Sequence, residues 1–177
     1  VTGAEWTSDS TAYLTPGQGD AWAQQAQAAS QVGTQRILDA GTHPAPGDVA
    51  TALGVDAHSP VIRRRRLILA DGRPVELATS YYPTSVADGT ALACADKIRG
   101  GAVTLLADLG YRPADIREDV TARHPNPEES DILGLSPTAA VLVLSRLSIS
   151  ADGTPYEYSV MTMSDGQHLL YQMQGPT

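Results

Sequence analysis

Apolar residues at Ala26, Ala29, Val32 and Ile37 recur at helical spacing in a stretch rich in Ala and Gln, with Asp20 placed to cap it. They predict a helix over Ala21–Leu38 with a thin apolar stripe, weakened at Gly33 and stopped by Gly41. Farther along, the pattern breaks into shorter units. Gly47–Leu53, preceded by His43-Pro44-Ala45-Pro46 and closed by Gly54, predicts a short helix with proline near its start and glycine just past its end. Val61–Ala70 and Val75–Tyr82 are β-rich runs flanking Asp71-Gly72, a hairpin dipeptide, and Pro83 ends the second run. Residues 84–100 show no period. Ala102–Leu109 predicts a helix stopped by Gly110, and Ile116–Arg123 a strand. Glu128–Leu133 predicts another short helix, between His124-Pro125-Asn126-Pro127 and Gly134. Ala140–Ile149 and Pro155–Met163 predict a second hairpin about Asp152-Gly153, and Leu169–Met173 a last strand. Residues 1–19, rich in Ser, Thr, Gly and Pro, predict an arm or linker, which leaves 20–177 as the domain.

The helix-and-hairpin unit recurs. His43, Pro44 and Pro46 return as His124, Pro125 and Pro127, 81 residues on, and Leu53-Gly54 returns as Leu133-Gly134 at an offset of 80. Ala70-Asp71-Gly72, Pro74 and Glu76 return as Ala151-Asp152-Gly153, Pro155 and Glu157, again offset by 81. Two copies are too few for a solenoid. They predict two like halves that join their hairpins in one antiparallel sheet of an α+β fold, with a ligand cleft between them. The competing explanation is that turns demand Pro, Gly and Asp wherever they occur.

Composition narrows the function. At 177 residues the chain is about one domain. Its 12 Lys and Arg against 20 Asp and Glu give a formal charge of −8, which opposes a nucleic-acid-binding surface covering the chain, because phosphate neutralisation needs clustered excess cations. An apolar content of 42% opposes disorder. No apolar stretch approaches the ~18 residues of a membrane span, so no membrane partner is expected. Cys94 is the sole cysteine, which rules out an internal disulfide, argues against a cysteine-based zinc site and points to a reducing, cytoplasmic setting. The N-terminus lacks a basic region followed by an apolar run, so no secretory signal is expected. A first residue Val1 rather than Met predicts a fragment or a processed product.

Arg63-Arg64-Arg65-Arg66 is the one dense cation cluster, and it lies on a predicted strand. Alternation sends Arg63 and Arg65 to one face and Arg64 and Arg66 to the other. An arginine on a covered face needs an anionic partner from protein or ligand. The competing explanation is a solvated basic edge that discourages sheet pairing; nucleic acid is a third. A three-residue loop would put Arg66 across from Glu76 and Arg64 across from Ala78; a two-residue loop would put Leu77 opposite Arg66. Glu76 and Glu157 occupy matching places in the two hairpins, as salt-bridge partners, ligand contacts or an acid–base pair. His43 and His124 each precede a proline and read as loop caps, and no histidine pair has metal-ligand spacing. Gly100-Gly101 before a predicted helix offers amides to an anion, without a phosphate-loop pattern. Met161 and Met163 read as core or pocket wall. No nucleophile elbow is present, and no catalytic residue, metal or cofactor is predicted.

The run from Arg66-Leu67 through Ala70-Asp71-Gly72-Arg73-Pro74-Val75 to Ser80-Tyr81-Tyr82-Pro83 resembles the UTRA effector-binding domain of the HutC-type branch of GntR-family bacterial transcription regulators. The resemblance continues through Leu105-Leu106 to Gly110, Pro127 to Leu135, and Asp152-Gly153-Thr154-Pro155 to Glu157-Tyr158-Ser159, and covers roughly residues 20–173. It implies a chorismate-lyase-like antiparallel sheet with flanking helices. It also implies a homodimer that binds a small-molecule effector and meets operator DNA only through an N-terminal winged helix-turn-helix absent from this chain. The other reading on that fold is a lyase acting on an aromatic carboxylate such as chorismate. In sugar-phosphate-sensing members of the family, two arginines one residue apart hold the anion; Arg66 matches the first and Ile68 stands at the second. A glutamate of the returning strand matches Ala78, with Glu76 one same-face step away. A Ser and Thr opening the first helix match Asp20 and Trp22, and a Ser and Tyr at the middle helix match Gly101 and Val103. The second hairpin's glutamate is kept as Glu157, and a later Tyr is replaced by Met163. With Arg64, Ser80 and Met161 added from the hairpins, these are the expected effector contacts. The expected effector is larger or less charged than an amino-sugar phosphate, with one anionic group near Arg64 or Arg66.

Overall fold

Strand alternation, rather than the helical stripe, governs the chain from Gly33 onward. The computed structural model describes residues 6–9, 15–17, 21–164 and 166–171. Helix α1 (Ala21–Ala28) ends ten residues before the position its apolar spacing predicts. Ser30 turns the chain back at φ 59°, and Gly33–Pro44 forms β2. Val32, a member of the supposed stripe, is exposed. The reason is tertiary: β2 pairs along β3 (Pro60–Ala70) from Gly33 to Pro44, and these ladder bonds outweigh a weak helical preference. Gly33 permits the sharp return. A Cβ there would lie 2.7 Å from Ala26 Cβ and 2.9 Å from Trp22 Nε1. Gly33→Ala is expected to lower stability by about 2 kcal/mol through overpacking, read as a lower urea midpoint; an unchanged midpoint would show that α1 yields instead.

Four further strands complete the sheet: β4 (Arg73–Pro83), β5 (Asp115–Arg123), β6 (Val141–Ile149) and β7 (Pro155–Met163). All neighbours are antiparallel, in the order β2-β3-β4-β7-β6-β5. The strand–helix–strand–strand order occurs twice, with α2 (Gly47–Leu53) in the first group and α5 (Pro127–Leu133) in the second. The groups meet at β4 and β7. The arginine-rich strand β3 is therefore interior, and a solvated-edge role for it is excluded. Residues 84–100 are partly regular, holding α3 (Thr84–Ala87) and a 3-10 turn, Ala91–Ala93, ahead of α4 (Gly101–Asp108). The expected last strand is β8 (Gln167–Leu170), earlier than predicted; it pairs in parallel with β1 (Trp6–Asp9), which lies within the expected arm.

One face of the sheet is covered by α2 and α5. Val49 and Leu53 pack on Val61, and Leu133 packs on Leu67 and Leu77. Asn126 and Glu129 form a reciprocal cap at the start of α5, at 2.9 Å each way. The other face carries two separate apolar clusters. Trp22 and Ala26 of α1 pack on Ile68, Ala70, Val75 and Ala78. Val86, Ala87, Leu92 and Leu106 pack on Ile62, Tyr82 and Tyr156. A cavity of about 520 Å³ opens on this same face, lined from both clusters' helices, with Trp22 at one wall and the start of α4 at another.

Candidate functional site

The hairpin register decides which side chains reach this cavity. Asp71 (φ 48°) and Gly72 (φ 77°) are both left-handed, as a two-residue hairpin turn of this kind requires. Such a turn alone would set Leu77 against Arg66. An irregularity at Ile68/Leu69 instead leaves Val75 as an extra residue in β4, and the register advances by one. The observed pairs are Arg64 with Ser80, Arg66 with Ala78 and Ile68 with Glu76, so neither expected register holds. The second hairpin has the same device. An irregularity at Ser148/Ile149 leaves Tyr156 extra and pairs Ser148 with Glu157 and Arg146 with Ser159. Arg66, Glu76, Arg146 and Glu157 thus share the cavity face, two from each hairpin.

These four differ in what satisfies them. Arg146 Nε donates to Glu118 Oε1 of β5 at 2.6 Å, and both side chains are largely buried. Glu157 Oε1 accepts from the Tyr82 hydroxyl at 2.9 Å and from Ser159 Oγ at 3.3 Å. Burial, and secondarily the Glu157 charge, holds the Tyr82 phenol well above its ordinary range. Arg66 Nε is buried without an acceptor. Burial pushes the Glu76 carboxyl up to about 7, against the opposing pull of Arg66 and Arg146. The walls are apolar at Trp22, Ile68, Leu144, Met161 and Met163. The rim is the loop carrying Lys97, Ile98 and Arg99 into α4, where Gly100 (φ 79°) and Gly101 (φ 84°) are left-handed.

Of the residues expected from sequence, Trp22, Arg66, Glu76, Gly101, Val103, Glu157, Met161 and Met163 line the cavity. Three do not. Arg64 lies under the rim and donates to the carbonyls of Cys94 and Asp96, the second at 2.5 Å, so it braces the loop from below. Ala78 is buried in the α1 cluster with Trp22. Ser80 is buried between the central strands, 2.8 Å from Ser159 Oγ. Asp20 lies outside the described residues. On the opposite face Arg63 pairs with Asp39 at 2.6 Å and Arg65 with Glu128 at 2.8 Å. His43 bonds Asp39 there, and His124 bonds the Ala139 carbonyl. Sequence reasoning missed Gln35, Leu144, Arg146 and Ser159. Arg146 was findable: it follows Arg66 by 80 residues, the offset of the recurring Leu-Gly pair.

Comparisons with known proteins agree with this geometry. The family model of the UTRA domain matches residues 28–165. An uncharacterized HTH-type transcriptional regulator of Rhizobium meliloti is 35% identical over 131 residues, covering 73% of this chain and 52% of that protein. The chain spans about half the length of the curated relatives it matches. The effector domain of PhnF from Mycobacterium smegmatis superposes with a TM-score of 0.74 at 19% identity, over 87% of this chain and 94% of that one. The ligand-binding domain of a putative GntR-family transcriptional regulator from Bordetella bronchiseptica gives a TM-score of 0.71 at 22% identity, over 80% and 89%. These likenesses identify the fold as that of the effector domains.

Proposed function

We propose that this chain, which belongs to the UTRA domain family, senses one small molecule in the cavity through an anionic group held by Arg66. The family and the matched regulators mark a regulatory, effector-binding domain of transcription regulators and not an enzyme. The observation that carries the reading is the buried, unpaired Arg66 Nε on a cavity floor. A buried guanidinium N–H without an acceptor is costly, and a ligand anion removes that cost. The effector contacts are then Arg66, Trp22, Gly101, Val103, Met161 and Met163, with Glu76 and Glu157 beside them; residues 1–19 serve as the linker. The parent regulator is of the HutC type, cytoplasmic and homodimeric, and reads operator DNA through a separate N-terminal winged helix-turn-helix. Effector binding shifts how those heads are held, by as much as the effector's affinity differs between the two arrangements.

The test is to identify by mass spectrometry the small molecules released on denaturing the purified protein and to rebind them by calorimetry. Arg66→Met is expected to weaken the rebinding of an acidic effector roughly tenfold or more, the worth of a charge-assisted hydrogen bond. Equal affinity in the variant would overturn the role of Arg66.

A further inference from the structure

We infer that the cavity takes an amphoteric molecule, one that presents an anionic group to Arg66 and a protonated amine to Glu76 while its apolar body lies against Trp22, Met161 and Met163. This rests on the effector-binding reading and goes beyond it by assigning the ligand's second charged group and the residue that selects for it.

The sheet provides its own comparison. It holds two arginine–glutamate sets at matching register positions. In one set, Arg146 has Ser159 across from it on β7 and Glu118 on its other side on β5. Its companion Glu157 is met by the Tyr82 hydroxyl from β4. Arg146 thus has a carboxylate partner and Glu157 two hydroxyl donors from within the protein. In the other set, Arg66 has Ala78 across from it on β4 and Ile37 on its other side on β2. Its companion Glu76 has Met163 beside it on β7. Where the first set has an acid, a hydroxyl and a phenol, the second has Ile, Ala and Met. Among the described residues Arg66 Nε is buried without an acceptor, and Glu76, only 9% exposed, feels opposing charge from Arg66 and Arg146 without a hydrogen bond to offset its burial.

Folded proteins pair buried polar groups. Here the Arg66 Nε lacks an acceptor and Glu76 is buried with no donor set against it, and the cavity opens above both. A ligand acid answers Arg66 alone and leaves Glu76 desolvated. A ligand amine offsets the cost of ionising a carboxyl that burial already holds near 7. The charged groups facing Glu76 are Arg66 of β3, Arg146 of β6 and Glu157 of β7, with Lys97 and Arg99 at the rim. They make the surroundings favourable to the acid end; Glu157 is already hydrogen-bonded by Tyr82 and Ser159, which leaves Glu76 as the carboxylate set against no donor among the described residues lining the cavity. The volume of about 520 Å³ has room for a body well beyond the two charged groups.

The test uses three probes with one body: tryptophan, indole-3-propionate and tryptamine carry both charges, the acid alone and the amine alone. Their affinities are measured by calorimetry at pH 7.5 on the wild-type chain, Glu76→Gln and Arg66→Gln, with circular dichroism confirming the fold of each variant. Tryptophan is expected to bind at least tenfold more tightly than either single-charge probe. Glu76→Gln should weaken tryptophan and not indole-3-propionate, whose affinity rises or holds once a like charge beside Arg66 is gone; Arg66→Gln should weaken both acids. Equal binding of tryptophan and indole-3-propionate, or a Glu76→Gln loss shared by both, overturns the amphoteric ligand while leaving the acid-binding cavity in place. Failure of all three probes to bind the wild-type chain overturns both.

Discussion

Glu76→Gln is expected to stabilise the unliganded domain by roughly 3 kcal/mol above pH 7 and to leave it unchanged near pH 4. The unfolded chain releases the Glu76 proton near 4.5 and the folded chain near 7. Between those values the folded state holds more protons, so its stability falls as pH rises through the window and is constant above it. At about 1.4 kcal/mol per pH unit the fall amounts to roughly 3 kcal/mol. Glutamine reproduces the protonated carboxyl and removes the fall. Other acids act in the opposite sense at lower pH. The Arg63 guanidinium holds Asp39 below the ordinary range. Burial pushes Glu129 up, but Arg123, the Asn126 N–H and Thr162 together outweigh it and bring it down. Their contribution is present above the ordinary carboxylate values and is lost as pH falls through the lowered ones. The wild-type domain should therefore be most stable near pH 5, measured as melting temperature by calorimetry from pH 3 to 9. Parallel profiles for the wild type and Glu76→Gln would show that Glu76 does not titrate in the cavity.

Arg64→Met is expected to lower stability by about 3 kcal/mol, the low end for two charge-assisted hydrogen bonds, and to weaken effector binding without touching the effector. Arg64 is only 3% exposed and is the link between the sheet and the carbonyls of Cys94 and Asp96. Those residues lead directly into Lys97, Ile98 and Arg99 on the cavity rim. Methionine fills most of the volume and removes the donors, so lost bonding is separated from a new void. Denaturant unfolding should show a lower midpoint, and hydrogen exchange should rise across 94–101 more than in β3. If the variant matches wild type in both, the loop is held by its apolar contacts, such as Leu92 and Ile98 on the Tyr82 cluster.

The two arginines of one face show where reading by residue type reaches its limit. Alternation correctly sends Arg64 and Arg66 to the same side, yet one braces a loop and the other lines the cavity. What separates them is the course of residues 84–100, which bear no period and fold over Arg64 by packing Leu92 and Val86 on Ile62 and Tyr82. Ala78 and Ser80 stand on the cavity face as well, but α1 covers the first and Ser159 meets the second. Arg146 escaped notice for a different reason. It stands alone among Leu, Val and Ser, and only its offset from Arg66 marks it.

Short-range chemistry written into the chain determined the elements themselves: the Asp-Gly hairpins and the Pro-to-Gly helices. Each of these depends on neighbours a few residues apart, and their conformational preferences travel with the residues. The long-range arrangement was decided only in three dimensions. Residues 33–44 became a strand because β3 was there to pair with it, and Glu76 reached the cavity because the sheet absorbed Val75 as an extra residue. Both outcomes depend on ladder bonds and burial between segments distant in sequence, which no local propensity contains.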